Sequence, residues 1–181
     1  MRLERGSWLF LSFPYLARPG ACAIIIFMDV NVLIDEEFAQ HISSDWLRNI
    51  AEQVLTLQGV SAETEVGLVI TSQERVQALN ENYLGKDTPT DVLAFHMQAD
   101  VEEPSPFVLP PDGVNHLGEV IISYPQAAMQ ANEQGHPVSK EIAILTIHGI
   151  LHLLGYEDRT PQLRQRMITR EQEILSRIKL V

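Results

Sequence analysis

The sequence predicts an α+β fold, a small four-stranded mixed sheet packed with about five helices. Four short runs are rich in β-branched residues, and between them lie longer runs whose apolar residues recur every three or four positions. The chain has 181 residues, of which 45% are apolar and 20% charged, enough for one domain with a sizeable core. It contains no repeats and no low-complexity tract. We therefore expect helices packed against a single sheet.

The predicted elements alternate along the chain, and most begin at a capping residue or end at a glycine. The predicted strands cover residues 24–35, 65–71, 92–97 and 116–124. Five helices are predicted. The first three run from Ser43 or Ser44 to Gly59, from Ser72 to Gly85, and from Pro125 to about Gly135. The fourth covers 140–154 after the cap Ser139, and the fifth covers about 161–178. The spacing of apolar residues predicts which side of two helices is buried. These residues are Val76, Leu79 and Tyr83 in the second helix, and Leu163, Met167, Ile174 and Ile178 in the last. In the last strand, Gly118 indicates a bulge or a close backbone approach.

Two segments are predicted to be irregular. Residues 86–91 form a polar turn in which Pro89 fixes one φ angle. Residues 99–115 contain four prolines and four acidic residues, a composition typical of a surface loop rather than a linker between domains.

Residues 1–27 differ in composition from the rest of the chain. Two arginines precede an apolar run there, as in a weak signal peptide, but Pro14 interrupts the run. The alternative is that translation begins at Met28 and that the extension is a mis-called start or a disordered tail. We favour this alternative, with residues 28–181 as one domain.

Composition limits the classes of function. The formal net charge of −11 disfavours broad electrostatic binding to nucleic acid. The single cysteine, Cys22, excludes a disulfide framework and a cysteine-based zinc finger and fits a reducing cytoplasm. No run reaches the roughly 18 to 20 apolar residues that span a bilayer, so we expect a soluble protein without a membrane partner. Six basic residues cluster near the C-terminus, and their simplest interpretation is a solvated helix face. They are Arg159, Arg164, Arg166, Arg170, Arg177 and Lys179.

Candidate chemistry is concentrated in residues 148–158, HGILHLLGYED. His148 and His152 lie four residues apart in an apolar run that predicts a buried helix, so both imidazoles are expected on one helix face. Gly155 supplies the positive φ that ends helices, which lets the chain turn back and bring Asp158 to the same point. Two imidazoles and a carboxylate would form a three-ligand zinc site with one open position.

Other interpretations of this segment stay open. Zinc peptidases carry H-E-x-x-H, whose glutamate is the general base, but Gly149 occupies that position here. A glycine within a helix costs about 1 kcal/mol, which indicates that room is needed near a metal or a packed strand. The two histidines could also be hydrogen-bonded core residues, with Asp158 an ordinary acid in a turn.

Three segments resemble the YbeY family, the single-strand endoribonucleases and rRNA maturation factors of bacteria and organelles. HGILHLLGYED resembles that family's HGxLHLxGYDH. LNENYLGKDTPTDVLAF, residues 79–95, resembles its LNxxYRxKDxPTDVLSF, and LGEVIIS, residues 117–123, resembles its LGDIVIS. The match extends in order from about residue 28 to the C-terminus. The resemblance implies a zincin-like, metal-binding central helix and one zinc ion, with His148, His152 and Asp158 as metal ligands and catalytic residues.

The chain departs from the family pattern at two functional positions. Asp158 stands where the family has its third histidine ligand. Because carboxylate oxygen also binds zinc, we expect a His2Asp site whose preference shifts toward harder metals, with Glu157 as a competing ligand. Leu84 replaces the arginine that the resemblance implies is catalytic or in contact with RNA, and leucine cannot hold a phosphate.

Further candidate residues follow from these departures. Lys86, Arg159 and Glu119 are the candidate substrate-binding residues, of which Lys86 and Arg159 are the first choices for phosphate contacts. Glu119 and Glu157 are candidate general bases because of their acidity and expected nearness. For each of these four residues, a salt bridge or a place in a solvated turn is at least as good an explanation.

The resemblance implies a zinc-dependent, single-strand-specific endoribonuclease in rRNA maturation, including 16S rRNA 3′ end processing, and in ribosome quality control. The metal would polarise a phosphoryl oxygen or generate hydroxide. The expected partners are single-stranded rRNA and components of the small ribosomal subunit, and the acidic net charge favours recognition through a ribosomal protein partner. Two alternatives are a metallopeptidase-like hydrolase and a non-catalytic ribosome-assembly factor with a structural metal site.

Overall fold

The structure, a computed structural model, describes residues 28–61, 63–97 and 114–180. Its strands are β1 (Asp29–Ile34), β2 (Thr64–Thr71), β3 (Val92–His96) and β4 (Asn115–Ser123). Its helices are α1 (Ser44–Leu57), α2 (Gln73–Leu84), α3 (Tyr124–Gln134), α4 (Val138–Leu153) and α5 (Pro161–Leu175). In these ranges the predicted α+β class, with four strands and five helices, is confirmed.

The four strands form one mixed sheet in the order β1-β2-β4-β3. β1, β2 and β4 are parallel, whereas β3 pairs antiparallel with β4 at the edge of the sheet. Parallel neighbours require a crossover connection, and α1 provides it between β1 and β2. Helix α4 contacts β3, β4, α1, α3 and α5, so it is the central helix of the fold.

The two faces of the sheet carry separate cores, because successive strand residues point to opposite faces. The larger core lies under α1 and α4, and its strand residues include Leu68, Ile70, Val120 and Ile122. The smaller core lies under α2 and contains Val69, Val76, Leu93 and Ile121. Each fully buried leucine or isoleucine contributes about 1.5 to 3 kcal/mol, so α4 is fixed mainly by the larger core.

The helix starts agree with the predicted caps in all but one case. The hydroxyl oxygens of Ser43 and Ser72 accept hydrogen bonds from backbone N–H groups three residues later, as expected. The prediction that Ser139 caps the fourth helix is wrong, because α4 already begins at Val138. Pro137 precedes it in an extended conformation and has no side-chain acceptor.

Two predictions about helix ends and faces are also corrected. The last helix ends at Leu175 rather than at 178, and the chain continues in a turn. Tyr83, predicted to be buried, is 55% exposed because it lies in the last turn of α2, where its ring contacts that of Phe95. The inward-facing residues of the C-terminal segment are Met167, Ile174 and Ile178, which are buried, and Leu163, which is half-buried.

Gly118 has both of the features predicted for it. The register between β2 and β4 shifts between Glu65 and Val66, which leaves Leu117 as the extra residue of a bulge. A Cβ atom at Gly118, whose φ is +136°, would lie 2.0 Å from the carbonyl oxygen of Phe95. The glycine therefore allows β3 to approach β4 closely at the end of β3.

Three predictions fall outside the described residues. They concern the extension at 1–27, the first part of the predicted strand at 24–35, and most of the loop at 99–115. Among the described residues, no helix is long and apolar enough to cross a membrane.

Candidate functional site

Helix α4 carries both candidate imidazoles, and a glycine determines how closely the helix approaches the sheet. A Cβ atom at Gly149 would lie 2.3 Å from Cγ1 of Val120 on β4. The room that Gly149 leaves is thus filled by a packed strand, one of the two explanations that the sequence offered. His148 and His152 are half-buried on the side of α4 that borders β3.

The two imidazoles face each other. The Nε2 atoms of His148 and His152 lie 3.1 Å apart, and the ring planes meet at 79°. Each Nδ1 atom has its own partner. Nδ1 of His148 lies 2.7 Å from Oε1 of Glu171 on α5, and Nδ1 of His152 lies 2.9 Å from the backbone carbonyl oxygen of Tyr156. Two different elements therefore orient the two rings from behind.

These partners determine which nitrogen of each ring carries the proton. A carboxylate and a carbonyl oxygen only accept, so both Nδ1 atoms donate. In the neutral rings the Nε2 lone pairs then converge, which is favourable when they share a cation. Metal-binding histidines have this arrangement, with Nδ1–H bonded to a carboxylate or carbonyl. Two nitrogens at tetrahedral positions around zinc are roughly 3.3 Å apart, close to the spacing of this pair, so the imidazoles fit zinc.

The surroundings of His152 favour its neutral form. Burial is the largest cause that lowers the pKa of His152, and the neighbouring His148 lowers this pKa further. Asp158, the hydrogen bond to Tyr156 and Glu171 act in the opposite direction without reversing the shift. Because neutral imidazole is the form that binds a metal, the lowered pKa keeps His152 competent as a ligand.

Asp158 reaches the same groove but does not complete a ligand set. The chain turns after α4 at Gly155, whose φ is +83°, and Asp158 lines the groove beside His148 and His152. In the described part of the chain, no three histidine, cysteine, aspartate or glutamate side chains are arranged so that they could hold a metal ion. The predicted convergence is therefore present for the two imidazoles, with the carboxylate nearby.

A groove of about 460 Å³ separates α4 from β3. The groove residues of α4 and the turn after it, here called the α4 wall, are His148, Gly149, His152 and Asp158. The opposite side, called the β3 wall, comes from the end of α2, the 86–91 turn and β3, and includes Leu84, Lys86 and His96. A larger depression of about 630 Å³ lies along α5, but it does not include the imidazole pair.

Glu119, a candidate base and substrate-binding residue, lies away from this groove. Its neighbour Val120 points toward α4, so Glu119 points to the opposite face of the sheet. There its Cγ would lie 2.9 Å from a Cβ atom placed on Gly67 of β2. The structure therefore does not bring Glu119 to the imidazole pair, because alternation along β4 separates the two sheet faces.

The remaining predicted residues divide between the groove and the surface. Lys86 lines the groove and is exposed. Arg159 forms an exposed ion pair with Glu157, with Nη2 3.3 Å from Oε1, and neither is among the groove residues. Such an exposed pair contributes about 0 to 1 kcal/mol, so it leaves both side chains free to move.

Sequence reasoning missed two residues of the site. Glu171 orients His148 from α5, and its only signal in the sequence is an acid on an amphipathic helix 23 residues away. His96 ends β3 and lines the groove opposite the imidazole pair. Its signal is a single histidine after the apolar strand, which becomes informative only when the strand order is known.

This chain is similar in sequence to proteins of one family. A family model described as Endoribonuclease YbeY matches residues 31–179. A Dehalococcoides mccartyi protein with that name is 48% identical over 145 residues, which cover 77% of this chain and 84% of that protein. Another, from a Roseiflexus species, is 40% identical over 81% of this chain and 90% of that protein. A solution structure from Thermotoga maritima matches with a TM-score of 0.49 at 24% identity, covering 81% of this chain and 89% of that one.

Proposed function

Because the chain belongs to the YbeY endoribonuclease family, hydrolases that act on RNA, we propose that it is a zinc-dependent, single-strand-specific endoribonuclease. Its proposed roles are rRNA maturation, including processing of the 3′ end of 16S rRNA, and ribosome quality control. The observation that carries the zinc proposal is the convergence of two Nε2 atoms, 3.1 Å apart, at the wall of an open groove.

The proposed site assigns a role to each groove residue. His148 and His152 would hold one zinc ion through their Nε2 atoms, and Asp158, which lines the same groove, would turn its carboxylate toward them to become the third protein ligand. When bound, zinc supplies Lewis acidity to a phosphoryl oxygen or to a water molecule. Glu171 keeps the His148 ring in its orientation, and Lys86 offers an ammonium group to a phosphate from the opposite wall.

Gly149 argues against a zinc peptidase as the alternative function. Zinc peptidases place their general-base glutamate at this helix position. Here a side chain at Gly149 would collide with Val120, so the core of this fold has no room for that glutamate. The groove could still bind an extended chain, but it lacks the base with which that class of peptidase activates water.

The charge of the chain bears on how RNA is recognised. With a net charge of −11, the isolated protein is expected to bind RNA weakly, because phosphate neutralisation supplies most of the affinity for nucleic acids. We propose that components of the small ribosomal subunit present the single-stranded rRNA to the groove. The proposed compartment is the cytoplasm, where rRNA is processed.

A cleavage assay tests this function directly. Purified protein is incubated with single-stranded RNA, with the same RNA in a duplex, and with casein, each with and without a chelator. The expected result is cleavage of single-stranded RNA alone, lost with chelator and restored by zinc. Chelator-sensitive proteolysis, or cleavage unaffected by chelator, would contradict the proposal.

Variants of the imidazole pair provide the matched control. His148→Ala and His152→Ala are each expected to reduce the cleavage rate by at least about 10³-fold, on the scale of removing a catalytic group. His41→Ala removes an exposed imidazole that contacts the ring of Tyr124, and it should leave the rate unchanged. Equal rates in all three variants would show that this groove does not catalyse the cleavage, which would then come from another site or from a contaminating nuclease.

One observation favours a second function, a ribosome-assembly factor without catalysis. Leu84 on the β3 wall is 55% exposed, and it stands where the motif that this chain resembles has an arginine that could stabilise charge on a phosphate. The two functions separate in a strain depleted of the protein. If His148→Ala and His152→Ala still restore rRNA processing there, the assembly function holds and the catalytic one fails.

A further inference from the structure

His96 has a defined position at the end of the edge strand. It is paired with Gly118 of β4 in the antiparallel register. Val92 and Ala94, two and four residues earlier, pack against the core under α4, and alternation along the strand puts His96 on that same face. The side chain therefore faces the groove, on the wall opposite the imidazole pair.

The close approach of β3 to β4 fixes this position. A Cβ atom at Gly118 would lie 2.0 Å from the carbonyl oxygen of Phe95 and 3.1 Å from Cα of His96. Any other residue at Gly118 would push the end of β3 away from the sheet. The backbone that carries His96 is thus held by packing, although its side chain is exposed.

The other ionisable side chains of the groove already have assigned tasks. Within the described residues these are Lys86, His148, His152 and Asp158. Both imidazoles of α4 use Nδ1 to donate and direct Nε2 to a shared point. Lysine is a strongly hydrated cation, suited to a phosphate contact but a poor proton donor near neutral pH. A group for proton transfer is still needed, and Glu119 lies on the other face of the sheet.

We propose that His96 is a catalytic residue, the general acid that protonates the leaving ribose oxygen during RNA cleavage. This inference rests on the proposed ribonuclease function. Imidazole is the side chain most often used for proton transfer, and such transfer contributes about 10² to 10⁴ in rate. In the part of the chain that the structure describes, no hydrogen bond engages the ring of His96, so it can turn toward a bound phosphodiester.

The proposed step balances without an additional reagent. A bond forms between the oxygen of water and phosphorus, and the bond between phosphorus and the leaving ribose oxygen breaks. The electron pair of that bond stays on the ribose oxygen, which takes the proton from protonated His96. Water releases a proton to solvent, and His96 regains one from solvent. The products are a phosphate monoester and a ribose hydroxyl.

The test uses His96→Gln and a substrate whose leaving group needs no acid. End-group analysis of the products first identifies the leaving oxygen, and an RNA is then made with sulfur at that bridging position. The variant is expected to cleave ordinary RNA about 10²-fold more slowly, because the leaving oxygen is no longer protonated. It should cleave the sulfur-bridged RNA at the wild-type rate, since a thiolate leaves without a proton.

Two controls separate this role from others. Met97→Gln changes the exposed residue next to His96, which is not among the groove residues, and it should leave both rates unchanged. The zinc content of His96→Gln should equal that of the wild-type protein.

Equal slowing of His96→Gln on both substrates, an unchanged rate on ordinary RNA, or loss of zinc would each overturn the general-acid role. If the wild-type protein itself cleaves neither substrate, the ribonuclease proposal fails and the role of His96 fails with it. Wild-type cleavage with any of the first three outcomes removes only the role of His96.

Discussion

The two walls of the groove differ in how their side chains are held. On the α4 wall, His148 and His152 are half-buried, and each ring is fixed from behind by Glu171 or by the carbonyl oxygen of Tyr156. On the β3 wall the side chains of Leu84, Lys86 and His96 are exposed. The proposed metal site thus depends on packing in the core, whereas the proposed contacts with a substrate depend on surface residues that can change without disturbing the fold.

The two departures from the family pattern fall on different walls. Leu84 belongs to the β3 wall, where a change of side chain alters the surface alone. Asp158 follows α4 on the wall of the proposed metal site, where it also raises the pKa of His152 against the dominant lowering by burial. From this difference between the walls we predict that Leu84 affects the affinity for RNA and that Asp158 affects the affinity for the metal ion.

Among the variants that compare the two walls, the largest effect is expected from removing the carboxylate that contacts Nδ1 of His148. Glu171→Ala leaves Nδ1 of His148 without its acceptor, so the ring loses its fixed orientation. Loss of such a partner lowers metal affinity or activity by about 10- to 100-fold. Zinc affinity measured by competition with a chromogenic chelator checks this. Glu173→Ala, a nearby variant whose carboxylate pairs with Arg170, should retain wild-type affinity, and equal affinity in both variants would argue against an ordered α4 wall.

A second variant, Gly149→Ala, disturbs the packing of α4 against the sheet. Gly149→Ala puts a methyl group against Val120, and overpacking of this kind costs about 1 to 3 kcal/mol. Urea denaturation of the metal-free protein gives the free energy of unfolding. The double variant Gly149→Ala with Val120→Ala should be more stable than the sum of the two single effects implies, because the new methyl fills the space that valine leaves. Strict additivity would contradict this contact.

On the β3 wall, Leu84→Arg should add a phosphate contact at little cost to stability. Exposed substitutions usually change the free energy of unfolding by less than about 0.5 kcal/mol. Affinity for single-stranded RNA should rise, and its dependence on salt should steepen by about 0.7 in the slope of log K against log salt. Fluorescence anisotropy at several salt concentrations measures both. An unchanged slope, or a large loss of stability, would show that this wall is not an independent surface.

The smallest effect concerns pH and belongs to the α4 wall. The pKa of His152 is lowered in the folded protein, mainly by burial, so between that value and the ordinary value near 6.5 the unfolded chain binds more protons. The free energy of unfolding of the metal-free protein should therefore rise with pH through this window. His152→Gln should lack this contribution, and an identical slope in the two proteins, from urea titrations at a series of pH values, would contradict it.

Much of the fold follows from local patterns in the sequence. The serine caps Ser43 and Ser72 were predictable because a cap is a contact over three residues. The prediction that Ser139 caps α4 was wrong because Pro137 already has an extended conformation just before the helix. The predicted burial of Tyr83 was wrong because periodicity indicates a helix face but not how far the sheet extends beneath that face.

The site was predictable only where its residues are neighbours in sequence. His148 and His152 meet because four residues make about one helical turn. Glu171 and His96 come from other elements, and their contributions depend on the order β1-β2-β4-β3 and on the packing of α5. Glu119 was misplaced for the same reason, since a sequence does not state which face of the sheet meets α4.

The central claim is that His148, His152 and Asp158 together hold one zinc ion, and the metal content of purified protein tests it most directly. Inductively coupled plasma mass spectrometry gives the ratio of zinc to protein for the wild type, Asp158→His, Asp158→Ala and His152→Ala. We predict one zinc ion per chain in the wild type and in Asp158→His, and a clear loss in the two alanine variants. Full zinc in Asp158→Ala would remove Asp158 from the ligand set, and full zinc in His152→Ala would contradict the site itself.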